Sequence, residues 1–166
     1  MGPEETVRRE LAAMLPRLRR FALSLTGSTH DADDLVQDTV ERALKYARRW
    51  QPGTRLDSWL YRIAQNIWID SLRARKRRPS APIEDADHVL GMDGQDAAEA
   101  RLMLLQTMEA MMRLPEEQRV VASLILIEGF GYQETAEILE IPIGTVTSRL
   151  ARAREALMIR LSGEKP

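Results

Sequence analysis

The stretch YQETAEILEIPIGTVTSRLARAREAL, residues 132–157, decides the fold. YQETAEILE reads as a short helix, IPIG as a tight corner, and a second helical pattern runs on from Thr145. On a helical wheel at about 100° per residue, Val146, Leu150, Ala153, Leu157 and Leu161 fall on one apolar stripe. Thr145, Ser148, Arg149 and Arg152 gather on the opposite side, and Arg154 flanks the stripe. Short helix, tight turn and second helix is the spacing of a helix-turn-helix. Small hydroxyl residues on the leading turn let a backbone approach a major groove, and guanidiniums reach base edges and phosphates. A lone surface helix with solvated arginines gives the same wheel. The preceding helix and corner tip the reading toward DNA.

Outward from this stretch the chain continues as helix. Periodic apolar segments cover about 4–25, 29–50, 55–77, 96–113, 115–128, 133–140 and 143–161, with glycines and prolines between them. The fold class expected is all-α. Pro16, inside the first segment, predicts a kink or a new start. Residues 79–98 break the pattern with two prolines, two glycines and five acids, which reads as a flexible acidic linker. Two small helical domains, 1–78 and 99–166, are expected on either side.

Charge is divided along the chain. Residues 1–78 carry 16 Lys/Arg against 10 Asp/Glu, while 79–98 carry 5 acids and no Lys or Arg. A net charge of −1 therefore hides a basic front half, which suits a polyanion. Zero cysteines exclude disulfides, thiolate metal sites and cysteine nucleophiles, and a cytoplasmic protein is the natural expectation. No apolar run approaches the roughly 20 residues of a membrane span, so membrane insertion is not expected. MGPEETVRRE is neither a signal peptide nor a good lipidation signal. His30 and His88 are the two histidines, and neither sits in a zinc-helix motif. With no phosphate loop and no nucleophile elbow, we expect no enzyme, no catalytic residue, no metal and no cofactor.

Two further helix faces carry chemistry. On the second helix Ala32, Val36, Val40, Ala43, Ala47 and Trp50 form the stripe expected to pack inward, leaving Asp34, Gln37, Asp38 and Glu41 outward. Asp38–Arg42 and Glu41–Lys45 have the spacing of ordinary i,i+4 pairs. On the third helix Leu56, Leu60, Ile63 and Ile67 are the expected buried stripe. Trp59, Arg62, Asn66, Asp70 and Arg73 share a flank that can stack on unpaired bases and bond their edges. The run RARKRR (73–78) then adds Arg75, Lys76, Arg77 and Arg78, more charge than a helix end requires.

The stretch LPEEQRVVASLILIEGFGYQETAEILEIPIGTVTSRLARAREAL resembles the promoter-recognising C-terminal domain of bacterial sigma factors of the small extracytoplasmic-function (ECF) type. DADDLVQDTVERALKYARRW and SWLYRIAQNIWIDSLRARKRR are similar to the family's N-terminal domain. The resemblance implies that Thr145, Ser148, Arg149 and Arg152 contact the minus-thirty-five promoter element. Thr147 stands where many relatives carry Lys or Arg, so the weight falls on Arg149 and Arg152. It implies that Asp34, Leu35, Gln37, Asp38 and Arg42 grip a coiled coil on the clamp of core RNA polymerase. The third helix and the loop before it would capture the opened minus-ten strand, with Asn66 best placed to read an extruded base. Contacts made only to unpaired bases, about 1–3 kcal/mol for each stacked base, would drive melting without ATP. The linker would thread toward the polymerase cleft, and an anti-sigma factor would restrain the protein. A conventional helix-turn-helix regulator, which would bind an operator by itself, is the main rival. A sigma-mimicking adaptor is a further rival, disfavoured because it needs no basic run.

Overall fold

The structure, a computed structural model, describes residues 1–77 and 94–163. Among these, seven α-helices and no strand are found. In order they are α1 (Pro3–Thr26), α2 (Thr29–Lys45), α3 (Leu56–Arg77), α4 (Gln95–Met112), α5 (Glu116–Ala122), α6 (Tyr132–Leu139) and α7 (Ile143–Ser162). A 3-10 turn, Ala47–Arg49, follows α2, and a π-helical turn, Ser123–Ile127, extends α5. Arg78 and most of the acidic linker lie outside the described residues. Gln95–Ala98, assigned to the linker by composition, form the first turn of α4, with Ala97 buried.

Local chemistry sets the helix ends. Gly27 closes α1 in the left-handed region (φ 68°), its N–H donating to the Leu23 carbonyl at 2.9 Å. A Cβ at this glycine would sit 2.8 Å from Cγ of Met112, a residue at the far end of α4. Ser28 caps α2 by accepting from the Asp31 N–H at 3.3 Å. Pro16 neither ends nor restarts α1, which continues through it to Thr26. The packing of both ends of α1, from Val7 and Leu11 to Phe21 and Leu25, holds the element together despite the lost backbone donor.

Each half has its own apolar cluster. In the first, Val7, Leu11 and Leu18 of α1 meet Ala43, Ala47, Trp50, Leu56 and Leu60. In the second, Ala110, Met111 and Leu114 meet Ala122, Ala153 and Leu157. The largest cluster belongs to neither half alone. Phe21, Leu25, Tyr61, Ile67 and Trp68 join Val121, Leu124, Phe130, Ile138, Val146 and Leu150 in one buried core. The Tyr61 ring stands edge-on between Phe21 (4.9 Å) of α1 and Phe130 (5.1 Å) of the second half. At about 1.5–3 kcal/mol for each large side chain buried, such a seam is a substantial attraction.

Three expected stripes are corrected. On α2 the buried residues are Ala32, Leu35, Thr39 and Ala43, while Val36 and Val40 are only half-buried. This helix packs against both α1 and α3, so its buried arc is wider than a single stripe and takes in Leu35. On α3, Tyr61, Ala64, Gln65 and Trp68 join Leu56, Leu60 and Ile67, because the second half covers another side of the helix. Leu161, expected on the α7 stripe, is 49% exposed; the core ends at Leu157.

Candidate nucleic-acid and polymerase interfaces

The helix-turn-helix corner is built from backbone. Glu140 ends α6 in the left-handed region (φ 55°), and the Ile141 N–H reaches back to Ala136 O at 3.1 Å. Pro142 then starts α7, its carbonyl accepting from the N–H groups of Thr145 (3.0 Å) and Val146 (3.2 Å). Val146, Leu150, Ala153 and Leu157 are buried, which turns Ser148 and Arg152 to solvent and leaves Thr145 half-exposed. Ser148 Oγ lies 3.1 Å from Thr145 O, and the Thr147 hydroxyl donates to Ile143 O at 3.0 Å. Arg149 is half-buried, with Glu117 Oε2 at 3.6 Å.

On α3 the expected flank is divided. Asn66, Asp70 and Arg73 are exposed, and Asn66 Oδ1 accepts from Gln65 Nε2 at 2.6 Å. Trp59 is half-buried against the first-half cluster, where it serves packing. Arg62 is half-buried, and its Nη2 donates to Glu137 O of α6 at 2.8 Å. Within the basic run, Arg75 meets Asp31 at 3.3 Å and Lys76 meets Glu116 at 3.4 Å. Arg77 donates to Arg73 O at 3.3 Å, and Arg78 lies outside the described residues.

The α2 face presents Asp34, Gln37, Asp38 and Arg42 to solvent together. Gln37 donates to Glu41 at 3.3 Å, and His30 lies 3.5 Å from Asp34. Leu35 does not belong to this surface: at 5% exposure it is a core side chain, for the two-sided packing reason given above.

Three groups that the sequence reading did not single out hold the halves together. Arg119 donates to four carbonyls: Met111 (3.0 Å), Met112 (2.7 Å), Leu114 (3.0 Å) and, across the seam, Leu25 (2.9 Å). Burial lowers its pKa while Glu116 opposes the shift. Ser24 and Ser123, both buried, share a hydrogen bond of 2.9 Å. Glu128 has a fully buried carboxylate whose partners all come from the first half. Arg20 grips it at both oxygens (2.9 Å each), the Tyr61 hydroxyl donates at 2.6 Å, and Arg17 lies 3.8 Å away. Burial, and then this hydrogen bond, push the Tyr61 phenol far above its ordinary pKa. Arg119 and Glu128 both lie in the stretch LPEEQRVVASLILIEGFGYQETAEILEIPIGTVTSRLARAREAL, but nothing in its spacing named their partners.

Residues 11–78 match Sigma-70 region 2, and residues 104–157 match Sigma-70 region 4. The chain is 37% identical over 155 residues to the ECF RNA polymerase sigma factor EcfG of Rhodopseudomonas palustris, covering 92% of this chain and 83% of that one. It is 36% identical over 147 residues to the ECF RNA polymerase sigma factor SigM of Mycobacterium tuberculosis, covering 89% and 72%. Among solved structures it resembles the sigma factor RpoE of Bartonella quintana, crystallised with the anti-sigma factor NepR. There the TM-score is 0.80 at 33% identity, over 95% of this chain and 98% of that one. CnrH, solved with the cytosolic domain of CnrY, aligns with a TM-score of 0.71 at 25% identity, over 97% and 90%. With region 2 and region 4 in that order, and relatives matched over most of their length, this chain belongs to the ECF RNA polymerase sigma factors.

Proposed function

We propose a division of labour along the chain. As a sigma factor it directs RNA polymerase to promoters, and the finer assignments follow from the exposed faces. Residues 1–78 bind core polymerase and the minus-ten element, 79–98 are the linker, and 99–166 read the minus-thirty-five element. Asp34, Gln37, Asp38 and Arg42, solvent-facing on α2, meet the polymerase clamp. Thr145, Ser148, Arg149 and Arg152 enter the major groove at the leading turns of α7. Asn66, Asp70, Arg73, Arg75, Lys76, Arg77 and Arg78, with Arg62 once released, hold the opened strand. Melting is driven by contacts that exist only to the unpaired strand. The chain supplies binding energy and leaves catalysis to the polymerase, in the cytoplasm where that enzyme works. An anti-sigma factor, as in the RpoE complex, is its expected regulator.

The observation that carries this reading is two sets of cations on one chain, Arg149 and Arg152 on α7 and Arg73, Arg75, Lys76 and Arg77 on α3, which suit a duplex reader and a strand-holding flank. A conventional regulator needs only the first. The test is transcription in vitro from a genomic promoter library, using core polymerase with and without the protein. New, discrete start sites sharing two upstream elements are expected. Absence of new starts, with the free protein binding a defined duplex, supports the conventional regulator instead.

A further inference from the structure

We propose that the cleft lined by α3 and the second half binds a small amphiphilic anion. Such a ligand has an apolar body, one carboxylate, phosphate or sulfonate, and an N–H or O–H donor. The site goes beyond the sigma-factor reading, which assigns no small molecule to this chain. The cleft measures about 280 Å³ and has three chemically distinct parts. Its walls are apolar, Trp68 and Leu72 being contributed by α3, Val120 by α5 and Ile141 by the corner before α7. Three cations also line it, Arg73, Lys76 and Arg149, against two acids, Glu116 and Glu117. The third part is Gln65, a buried amide at 3% exposure. Its Nε2 donates to Asn66 Oδ1 at 2.6 Å, while its Oε1 has no hydrogen-bond partner among the described residues.

Each part selects one feature of the ligand. A buried acceptor without a donor is destabilising, so a ligand N–H or O–H that reaches Oε1 forms a bond the protein alone does not make. The acids do not cancel the cations. Lys76 meets Glu116 at 3.4 Å and Arg149 meets Glu117 at 3.6 Å, long ion pairs near the surface that contribute little. Among the described residues no carboxylate pairs with Arg73. The cleft therefore carries net positive charge, which favours an anion. Apolar walls with a few convergent polar groups are the make-up of a small-molecule site. A protein helix is too large: about 10–12 Å across and about 5.4 Å per turn, a single turn fills more than about 400 Å³. Arg73, Lys76 and Arg149 also belong to the proposed promoter-holding faces, so a bound anion competes with DNA for them. That consequence, unlike the site itself, rests on the sigma-factor reading.

The probe is anilinonaphthalenesulfonate, which carries all three features and fluoresces brightly on leaving water. Titrated into the full-length protein, it should saturate one site per chain. Arg73→Glu should weaken that site about tenfold, the share of one charge-assisted bond. Arg73 is exposed, so this variant tests the site without disturbing the core. Gln65→Leu should weaken it about fivefold, the share of one neutral hydrogen bond. The same variant should leave naphthalenesulfonate, which has no N–H, unaffected when measured by displacement of the probe. In promoter-library transcription the probe should suppress the new starts, and Gln65→Leu should need about fivefold more of it. A titration that reaches no saturation overturns the proposal. So does binding unchanged in both variants, which places the probe on exposed apolar residues of α4 such as Leu102 and Met103. Suppression by equal amounts of probe in wild type and Gln65→Leu overturns the competition with DNA. If the protein without probe gives no new starts, the sigma-factor reading fails, while the titration still decides the site on its own.

Discussion

The guanidinium of Arg20 meets the carboxylate of Glu128 at both oxygens, 2.9 Å on each arm, across 108 residues of sequence. Arg20 is half-exposed on α1, whereas the Glu128 carboxylate is fully buried. The charge at the centre of the seam thus comes from one half and its neutralisation from the other. The contact joins region 2 to region 4.

Arg119 makes the strongest case for a structural role. Replacing it with Ala leaves the α4–α5 corner carbonyls and Leu25 O without their donor. Hydrogen bonds from a charged group contribute about 1.5–3 kcal/mol each to stability, and the four share one side chain. We expect Arg119→Ala to lose about 2–4 kcal/mol in urea unfolding. Arg119→Lys should recover little of it, because an ammonium cannot reproduce the planar fork.

The two recognition surfaces should separate by mutation. Arg149→Ala and Arg152→Ala are expected to weaken promoter-duplex recognition by the holoenzyme about tenfold to a hundredfold each, from about 1–3 kcal/mol for each contact. Core polymerase binding should be unchanged in both. Asp38→Arg should do the reverse. Wild-type core affinity in Asp38→Arg, measured by native gel shift of the polymerase, removes α2 from the interface.

Asp57 supplies a pH signature. Burial raises its pKa, but the Arg55 guanidinium at 2.7 Å and the Ser58 N–H outweigh burial and hold the carboxyl below its ordinary value of 3.8. A carboxyl with a depressed folded pKa stabilises the fold fully above its unfolded pKa. That contribution is lost as pH falls through the lower, folded value. Urea curves of wild type and Asp57→Asn should therefore differ by a constant amount at neutral pH and converge below about pH 4. A gap that persists unchanged at pH 3 assigns the effect to packing instead.

Gly27 is a test of the α1–α4 approach. Its positive φ disfavours any side chain, and an added Cβ meets Met112. Gly27→Ala should cost about 1–2 kcal/mol of stability in thermal unfolding. Pairing it with Met112→Ala should recover only the crowding part, because the backbone strain at Gly27 remains.

Much of this protein was legible in residue order. Seven helical segments, the corner at residues 141–144 and the two-sided wheel of α7 follow from periodicity, glycine and proline. These are local properties, fixed by the 3.6-residue repeat and by which residues tolerate a turn. One error came from packing that a local pattern does not see. Val36 was placed in the core because a wheel allows one buried stripe, and the resemblance put Leu35 on a surface, whereas α2 has neighbours on two sides and buries Leu35.

Residue order alone determined an all-α chain with region 2 before region 4, the helix-turn-helix pattern and the basic run at 73–78. Tertiary structure decided that Glu128 meets Arg20 and Tyr61, that Arg119 reaches Leu25, and that Arg62 is occupied by α6. Such pairings depend on how two separately patterned halves dock. A spacing rule reads neighbours along one helix; it holds no information about a partner a hundred residues away.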